Sequence, residues 1–500
     1  MTNKRGFDTD LYLKKQAEKL SERLGKFERL YLEFGGKLFS DQHAARVLPG
    51  YRPGAKIELL KKLGDIDLFY CVSSIDVAKG KIRGDSGLTY DFQTVKDISD
   101  ITEYGLKISG VVITLFTGQT AVIQLKNKLE NLGYKVYFQN VIEGYPQDLE
   151  KVIEGYKTQP YVPAEKRLVV VTGAGGGSGK MAFCLSQVYQ EINKGVKAGY
   201  AKFETFPIWN LPIDHPVNTA YEASTADLGD INMIDKYHKE AYGIESVNYN
   251  RDIENFAILE KILSKITGER NPYGYKSPTD MGVNMAGFGI VDDEVCREAA
   301  KQEIIRRYFR YTCERIEGKE SAETVKRIEK IMNKSGLKPE GRAVVIPARK
   351  SAEDAEKKGK GFKGVYCGSA VELSDGQIVT GKNSPIFHSE SAAVLNALKV
   401  IAGIPDEIDL ISPDMLKEIS KMKEDMVDSN SPSLTVNETL IVLAACSAIN
   451  PTAKKALSEA KNLRGCEFHT TALPSPGDLL GLRILNINVT SDPKRASIKI

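Results

Sequence analysis

The sequence predicts an α/β protein of mainly parallel sheets, with a smaller C-terminal α/β domain. Three observations predict it. Short runs rich in valine, leucine and isoleucine alternate with helical patterns from Leu30 onward, which implies parallel strands covered on both faces. One run, Arg167–Thr172, passes straight into the glycine-rich stretch Gly173–Lys180. Beyond a charged stretch at Glu317–Arg342 the pattern restarts, with an Asp375-Gly376 hairpin signal. These features divide the chain into an N-terminal α/β part at 1–160, a P-loop-like part packed with it at 161–325, and a C-terminal α/β domain at 326–500.

Taken in order, Asp10–Gly25 has apolar residues at helical spacing. Strands follow at Leu30–Phe34, Leu68–Ser73, Val111–Phe116 and Val136–Val141, with helices at Ala55–Leu63 and Thr120–Leu132 between them. After the glycine stretch, Lys180–Lys194 reads as a helix and Gly195–Phe206 as a strand. Asp214–Glu240 is partly helical, Glu294–Gly318 is a long helix, and Glu317–Arg342 reads as a helical linker. In the last part, Gly368–Leu373 and Gln377–Gly381 form the hairpin and Ser389–Ile401 a helix. Leu440–Cys446 fits a buried strand or a short helix, because periodicity alone does not separate the two. Thr452–Leu463 reads as a helix after Pro451. Strands at Cys466–Ala472 and Ile484–Val489 close the domain.

Composition narrows the function classes. A chain of 500 residues exceeds the roughly 250–300 that one core sustains. A net charge of +3 spread over that length leaves no basic stripe for nucleic acid. Met1–Lys15 lacks a signal peptide's apolar centre, and the apolar runs fall far short of the roughly 20 residues that span a bilayer. The seven cysteines are scattered, with no C-x-x-C pair. The expectation is a cytoplasmic protein with free thiols, touching neither membrane nor nucleic acid.

The central motif is Thr172-Gly173-Ala174-Gly175-Gly176-Gly177-Ser178-Gly179-Lys180-Met181. A strand, a glycine turn and a helix aim backbone N–H groups at an anion, and Lys180 adds a mobile charge. The stretch resembles a P-loop, departing from it where Ala174 replaces the first glycine and Met181 the Mg²⁺-binding hydroxyl. It also resembles the turn of short-chain dehydrogenases, but the Y-x-x-x-K those enzymes require is absent. A plain strand-to-helix turn that binds nothing is the third possibility. Downstream, Lys202 lies one helix and one strand beyond the loop. This resembles the dethiobiotin-synthetase-like branch of P-loop enzymes, where a lysine ending the second strand faces the transferred phosphate.

The phosphate-binding set is therefore Gly173, Gly175, Gly176, Gly177, Ser178, Gly179 and Lys180, with Arg251 as a further anion partner. Lys180, Lys202 and His215 are the candidate catalytic residues, His215 as a general acid or base. Asp227 and Asp230, with Asp235 beyond them, are candidates for the missing Mg²⁺ ligand. Each also has a plain structural alternative, as a surface charge or a hydrogen-bonded histidine.

In the C-terminal domain the hairpin leads through Gly381-Lys382 to His388-Ser389-Glu390 at a helix start. This loosely resembles the cytidine-deaminase fold, whose H-x-E is completed by P-C-x-x-C. With no such cysteine pair, the expectation is that the domain binds no stoichiometric zinc and deaminates nothing.

Several blocks, among them Glu33–Lys37, Asp41–Gly50, Lys202–Asn218, Asp227–Asp235, Val247–Asp252, Ser277–Phe288, Asp292–Arg307 and Cys466–His469, resemble an uncharacterised bacterial family known only as a domain of unknown function. The likeness covers nearly the whole chain and brings no activity with it. The zinc-protease label given to some members is rejected here, because H-E-x-x-H is absent. The residues lead to an expected phosphoryl transfer from ATP or GTP with Mg²⁺ to a small molecule, as in a kinase or ATP-dependent ligase. The alternatives are a non-catalytic nucleotide sensor or assembly protein, and an NAD(P)-binding protein. A homo-oligomer is the one protein partnership considered.

Overall fold

The structure is a computed structural model that describes residues 5–39, 41–83, 86–427 and 432–496. The chain forms two compact units. One comprises Arg5–Thr225 and Asp230–Ala300; the other includes Ala226–Gly229 and the chain from Lys301 onward.

The strands in chain order are β1 (Arg29–Phe34), β2 (Ile66–Ser73), β3 (Gly110–Phe116), β4 (Val136–Asn140), β5 (Leu168–Gly173), β6 (Ala198–Phe203), β7 (Asn232–Ile234), β8 (Val247–Tyr249) and β9 (Gly282–Val283), followed by β10 (Gly368–Glu372), β11 (Ile378–Lys382), β12 (Glu467–Thr470) and β13 (Asn488–Ser491). The first unit is built on a seven-stranded sheet of order β4-β3-β2-β5-β1-β6-β9, in which every neighbouring pair is parallel. Tyr31, Phe69, Cys71, Val112, Val169, Val171 and Tyr200 face one core, with the helices Leu149–Thr158, Lys180–Asn193 and Asn250–Thr267. On the other face, Tyr70 of β2 donates a hydrogen bond of 2.6 Å to Asp97 of the helix Tyr90–Glu103. Burial on both faces explains why these strands read as unbroken apolar runs.

The topology has a switch point. From β2 the chain proceeds to β3 on one side, whereas from β5 it proceeds to β6 on the other. β2 and β5 are neighbours, with Cys71 paired to Gly173. The crevice outside the carboxyl ends of such strands is where open α/β sheets bind ligands.

The second unit carries the sheet β11-β10-β12-β13. Only β12 and β13 run parallel; the other two pairs are antiparallel. The expectation of mainly parallel sheets therefore holds for the first sheet and is corrected for the second, where a hairpin leaves its strands opposed. Glu317–Arg342 contains the helix Ala322–Lys334, which buries Ile328, Ile331 and Met332. Leu440–Cys446 resolves as the end of a helix, Val436–Cys446, started by a Thr435/Glu438 capping box. The strand expected at Ile484–Val489 shifts to Asn488–Ser491, because Ser475, Pro476 and Asp478 start a helix that runs to Ile484. Among the described residues, five helices of ten residues or more, Tyr90–Glu103, Leu149–Thr158, Asn250–Thr267, Val345–Lys357 and Pro413–Val427, have no counterpart in the sequence-based assignment. Among the described residues no helix is long and apolar enough to cross a membrane.

Candidate functional site

The glycine loop closes β5 at the switch point. A Cβ on Gly173 would lie 2.5 Å from the Cys71 carbonyl oxygen and 2.7 Å from Ser178 Oγ, so only glycine fits. Gly177 and Gly179 have φ of +74° and +76°, the left-handed region. Gly179 caps the helix Lys180–Asn193. The loop is braced from two strands: Ala174 N–H donates to the Cys71 carbonyl at 3.0 Å, and Thr114 Oγ1 donates to the Ser178 carbonyl at 2.9 Å. Arg83 donates to the Ala174 carbonyl. The N–H groups of Gly175, Gly176, Gly177 and Gly179 find no backbone acceptor among the described residues. Carbonyls held and amides unspent, ahead of a 14-residue helix, make an electropositive cradle.

Lys180 arches over this loop, its Nζ 3.1 Å from the Gly175 carbonyl oxygen and 3.2 Å from Ser178 Oγ. Lys37, from the loop after β1, and Arg83 both act electrostatically on Asp97, whose carboxyl is nonetheless raised by burial. Cations thus gather on the β2–β5 side. Met181, in the place of the Mg²⁺-binding hydroxyl, packs against the apolar core.

The β1–β6 side is acidic. Glu33 on β1 lies in register with Lys202 on β6 and accepts the Tyr200 hydroxyl at 2.6 Å. Lys202 Nζ lies 2.6 Å from Asp252 and 3.8 Å from Glu204. Burial opposes the Lys202 charge, but Asp252 and Glu204 outweigh it and raise its pKa. Burial and the Asp252 charge push Glu204 up to about 8. Glu33 and Lys180 act together on the buried thiols Cys71 and Cys184, which puts both at this strand edge. Sequence placed Glu204 just beyond Lys202 and gave Glu33, Asp252 and Arg83 no individual role; the β1–β6 register sets Glu33 opposite Lys202, the helix Asn250–Thr267 brings Asp252 to it, and Arg83 reaches the loop at the Ala174 carbonyl.

The remaining predicted residues are engaged elsewhere. His215 is buried and caps the helix Pro216–Ser224, with Nδ1 accepting from Val217 N–H at 3.2 Å and Nε2 2.9 Å from Asp293. Both ring nitrogens are taken, and burial lowers the pKa. Arg251 spends its fork on Asp230, at 2.6 and 2.9 Å. Asp227, in the other unit, accepts the Tyr311 hydroxyl at 3.1 Å. Asp235 caps the helix Lys236–Tyr242.

In the second unit His388 Nδ1 lies 2.7 Å from Asp478, a partner the sequence did not suggest. Burial disfavours the His388 cation, yet Asp478 more than offsets this and the pKa is raised. Glu390 is raised by burial and by the Asp478 charge.

These features define an α/β protein with a glycine loop at the switch point of a parallel sheet, followed by a mixed-sheet C-terminal region. Residues 5–336 match the family described as "Domain of unknown function DUF1846, N-terminal" and residues 340–499 its C-terminal counterpart; the chain belongs to this DUF1846 family. It is similar to a UPF0371 protein of Clostridium tetani (strain Massachusetts / E88), 47% identical over 495 residues and 98% of each chain. A UPF0371 protein of Clostridium botulinum (strain ATCC 19397 / Type A) is 48% identical over 496 residues, again 98% of each.

Proposed function

We propose that the β2–β5 crevice binds ATP or GTP, with the phosphates on Gly175–Lys180, and that the protein transfers a phosphoryl group to a small molecule. The observation that carries this is the braced glycine loop, with its unspent amides, at the topological switch point. Charge is divided to suit it. Lys37, Arg83 and Lys180 favour the phosphates, while Glu33, on the strand beside β5, offers Mg²⁺ a carboxylate that Met181 does not replace. Asp227 and Asp230 are poorer Mg²⁺ ligands, given the bonds they already make. Lys202, held by Asp252, would meet the charge that develops on the phosphoryl group.

Strand order weighs against NAD(P). In dinucleotide folds the strand after the glycine helix lies beside the glycine strand; here β1 separates β5 from β6. The contrasting function, a nucleotide sensor without catalysis, is favoured by Met181. Calorimetric titration with MgATP, MgGTP and NADPH tests binding, and phosphate or ADP release with candidate acceptors separates enzyme from sensor. Binding of neither triphosphate refutes the proposal. In an active preparation Lys202→Met should lower turnover far more than affinity; unchanged turnover removes Lys202 from the chemistry.

A further inference from the structure

We propose that His388, Glu390 and Asp478 form a binding site for one zinc ion in the C-terminal unit. Among the described residues they are the one group of histidine, cysteine or acidic side chains arranged to hold a metal, with one ligand atom from each within 4.8 Å of the others.

The site is built by three separate segments. His388 caps the helix Ser389–Ala402, which places Glu390 in its first turn. Asp478 arrives from the first turn of the helix Pro476–Ile484. The segment before a third helix joins them: His388 N–H donates to the Leu434 carbonyl at 3.0 Å, and Val436 N–H donates to Asp478 Oδ1 at 2.9 Å. Each carboxylate is fixed from behind. Glu390 accepts Thr470 Oγ1 at 2.7 Å and Ser389 Oγ at 2.9 Å, and Asp478 accepts Ser475 Oγ at 2.6 Å. Ligating carboxylates are oriented in this way by an outer shell of donors.

Charge is the second, independent argument. Glu390 and Asp478 are 6% and 1% exposed, and two buried carboxylates side by side need compensation. The cation beside them is His388; Lys423, which acts on His388, is itself held by Glu438 at 3.0 Å and the Ser433 carbonyl at 2.8 Å. A divalent ion with two carboxylates and a neutral imidazole closes the balance at zero. One nitrogen and two oxygen donors suit zinc better than Mg²⁺, which prefers oxygen alone. The His388 side chain is 26% exposed, so one side stays open. Three protein ligands with an open position are the pattern of zinc sites that bind water or substrate. The missing cysteine pair therefore excludes a thiolate site only.

The test uses the full chain. Protein purified without chelator is analysed for metal, then stripped and titrated with zinc chloride by calorimetry in two buffers of different ionisation enthalpy. The expected result is one zinc per chain. Mg²⁺ should give no heat. Glu390→Gln keeps the shape and should weaken zinc on the order of 100-fold, and His388→Gln at least as much. Both variants should melt within a few degrees of stripped wild type. If His388→Gln fails to fold, Glu390→Gln decides alone. No zinc uptake by wild type, or uptake unchanged in Glu390→Gln, overturns the proposal.

Discussion

The two sheets gather functional residues in different ways. In the seven-stranded sheet every strand runs the same direction, so all carboxyl ends lie along one edge. Glu33, Lys37, Thr114, Gly173–Lys180 and Lys202 reach that edge from strands or turns far apart in sequence. In the four-stranded sheet β10 runs against β11, β12 and β13, so its carboxyl end lies at the opposite edge from theirs. There the polar cluster forms at helix starts instead, where His388, Glu390 and Asp478 meet. A parallel sheet makes a site by sharing one rim; a mixed sheet needs its helices to converge.

The sheets also differ in how charge is buried, and this gives the largest expected effect. Glu467 on β12 takes Arg342 at 2.8 Å and Arg306 at 2.9 Å, and Arg342 is 1% exposed. Glu467→Ala leaves the buried Arg342 guanidinium uncompensated, while Arg306 keeps Glu303, and should destabilise the C-terminal unit by roughly 3–5 kcal/mol, read from urea unfolding. A loss under about 1 kcal/mol would show that water reaches these arginines. The next effect falls on the other sheet. Gly179→Ala puts a side chain at φ +76° and 2.8 Å from Thr114, which should cost about 1–2 kcal/mol and remove triphosphate binding. Retained affinity would separate the loop's shape from ligand capture.

A smaller change is expected from Lys180→Ala. The lysine contributes a charge-assisted hydrogen bond worth about 1.5–3 kcal/mol, so triphosphate affinity should fall roughly 10–100-fold, with stability moved by less than about 0.5 kcal/mol. Equal affinity in calorimetry would remove Lys180 from the phosphate site. An effect of a different kind, read along the pH axis, concerns Glu204. Its folded pKa is pushed up to about 8, against about 4.3 in an unfolded chain. The native state therefore holds a proton that the unfolded state has released, and stability falls as pH rises from about 4.3 to 8. Glu204→Gln should flatten that part of the profile, measured by urea unfolding at pH 5 and pH 8. An unchanged slope would assign the dependence to another group.

The parallel strands were legible because burial on both faces writes itself as valine and isoleucine runs. The glycine loop was legible because steric exclusion at Gly173 leaves one residue type possible. What escaped was set by tertiary placement. Glu33 meets Lys202 through strand register, and Asp478 meets His388 across 90 positions; no local spacing encodes either. The helix Tyr90–Glu103 turns Gln93, Thr94 and Asp97 inward, so its buried stripe is partly polar and weakens the periodic signal. His215 was read as chemistry because a helix cap and a proton carrier look alike in one sequence.

The position of β1 bears on how the chain is made. It pairs only with β5 and β6, both of which are synthesised long after it. β2, β3 and β4 can zip together as they emerge, since each finds its neighbour in the next strand. β1 has no partner until residue 168 leaves the ribosome. At about 5–20 residues per second, the wait from residue 34 is roughly 7–27 seconds. For that interval its apolar segment Leu30–Phe34 is an unpaired strand in a growing chain, a prime target for a holding chaperone and the place where crowded synthesis would begin to aggregate.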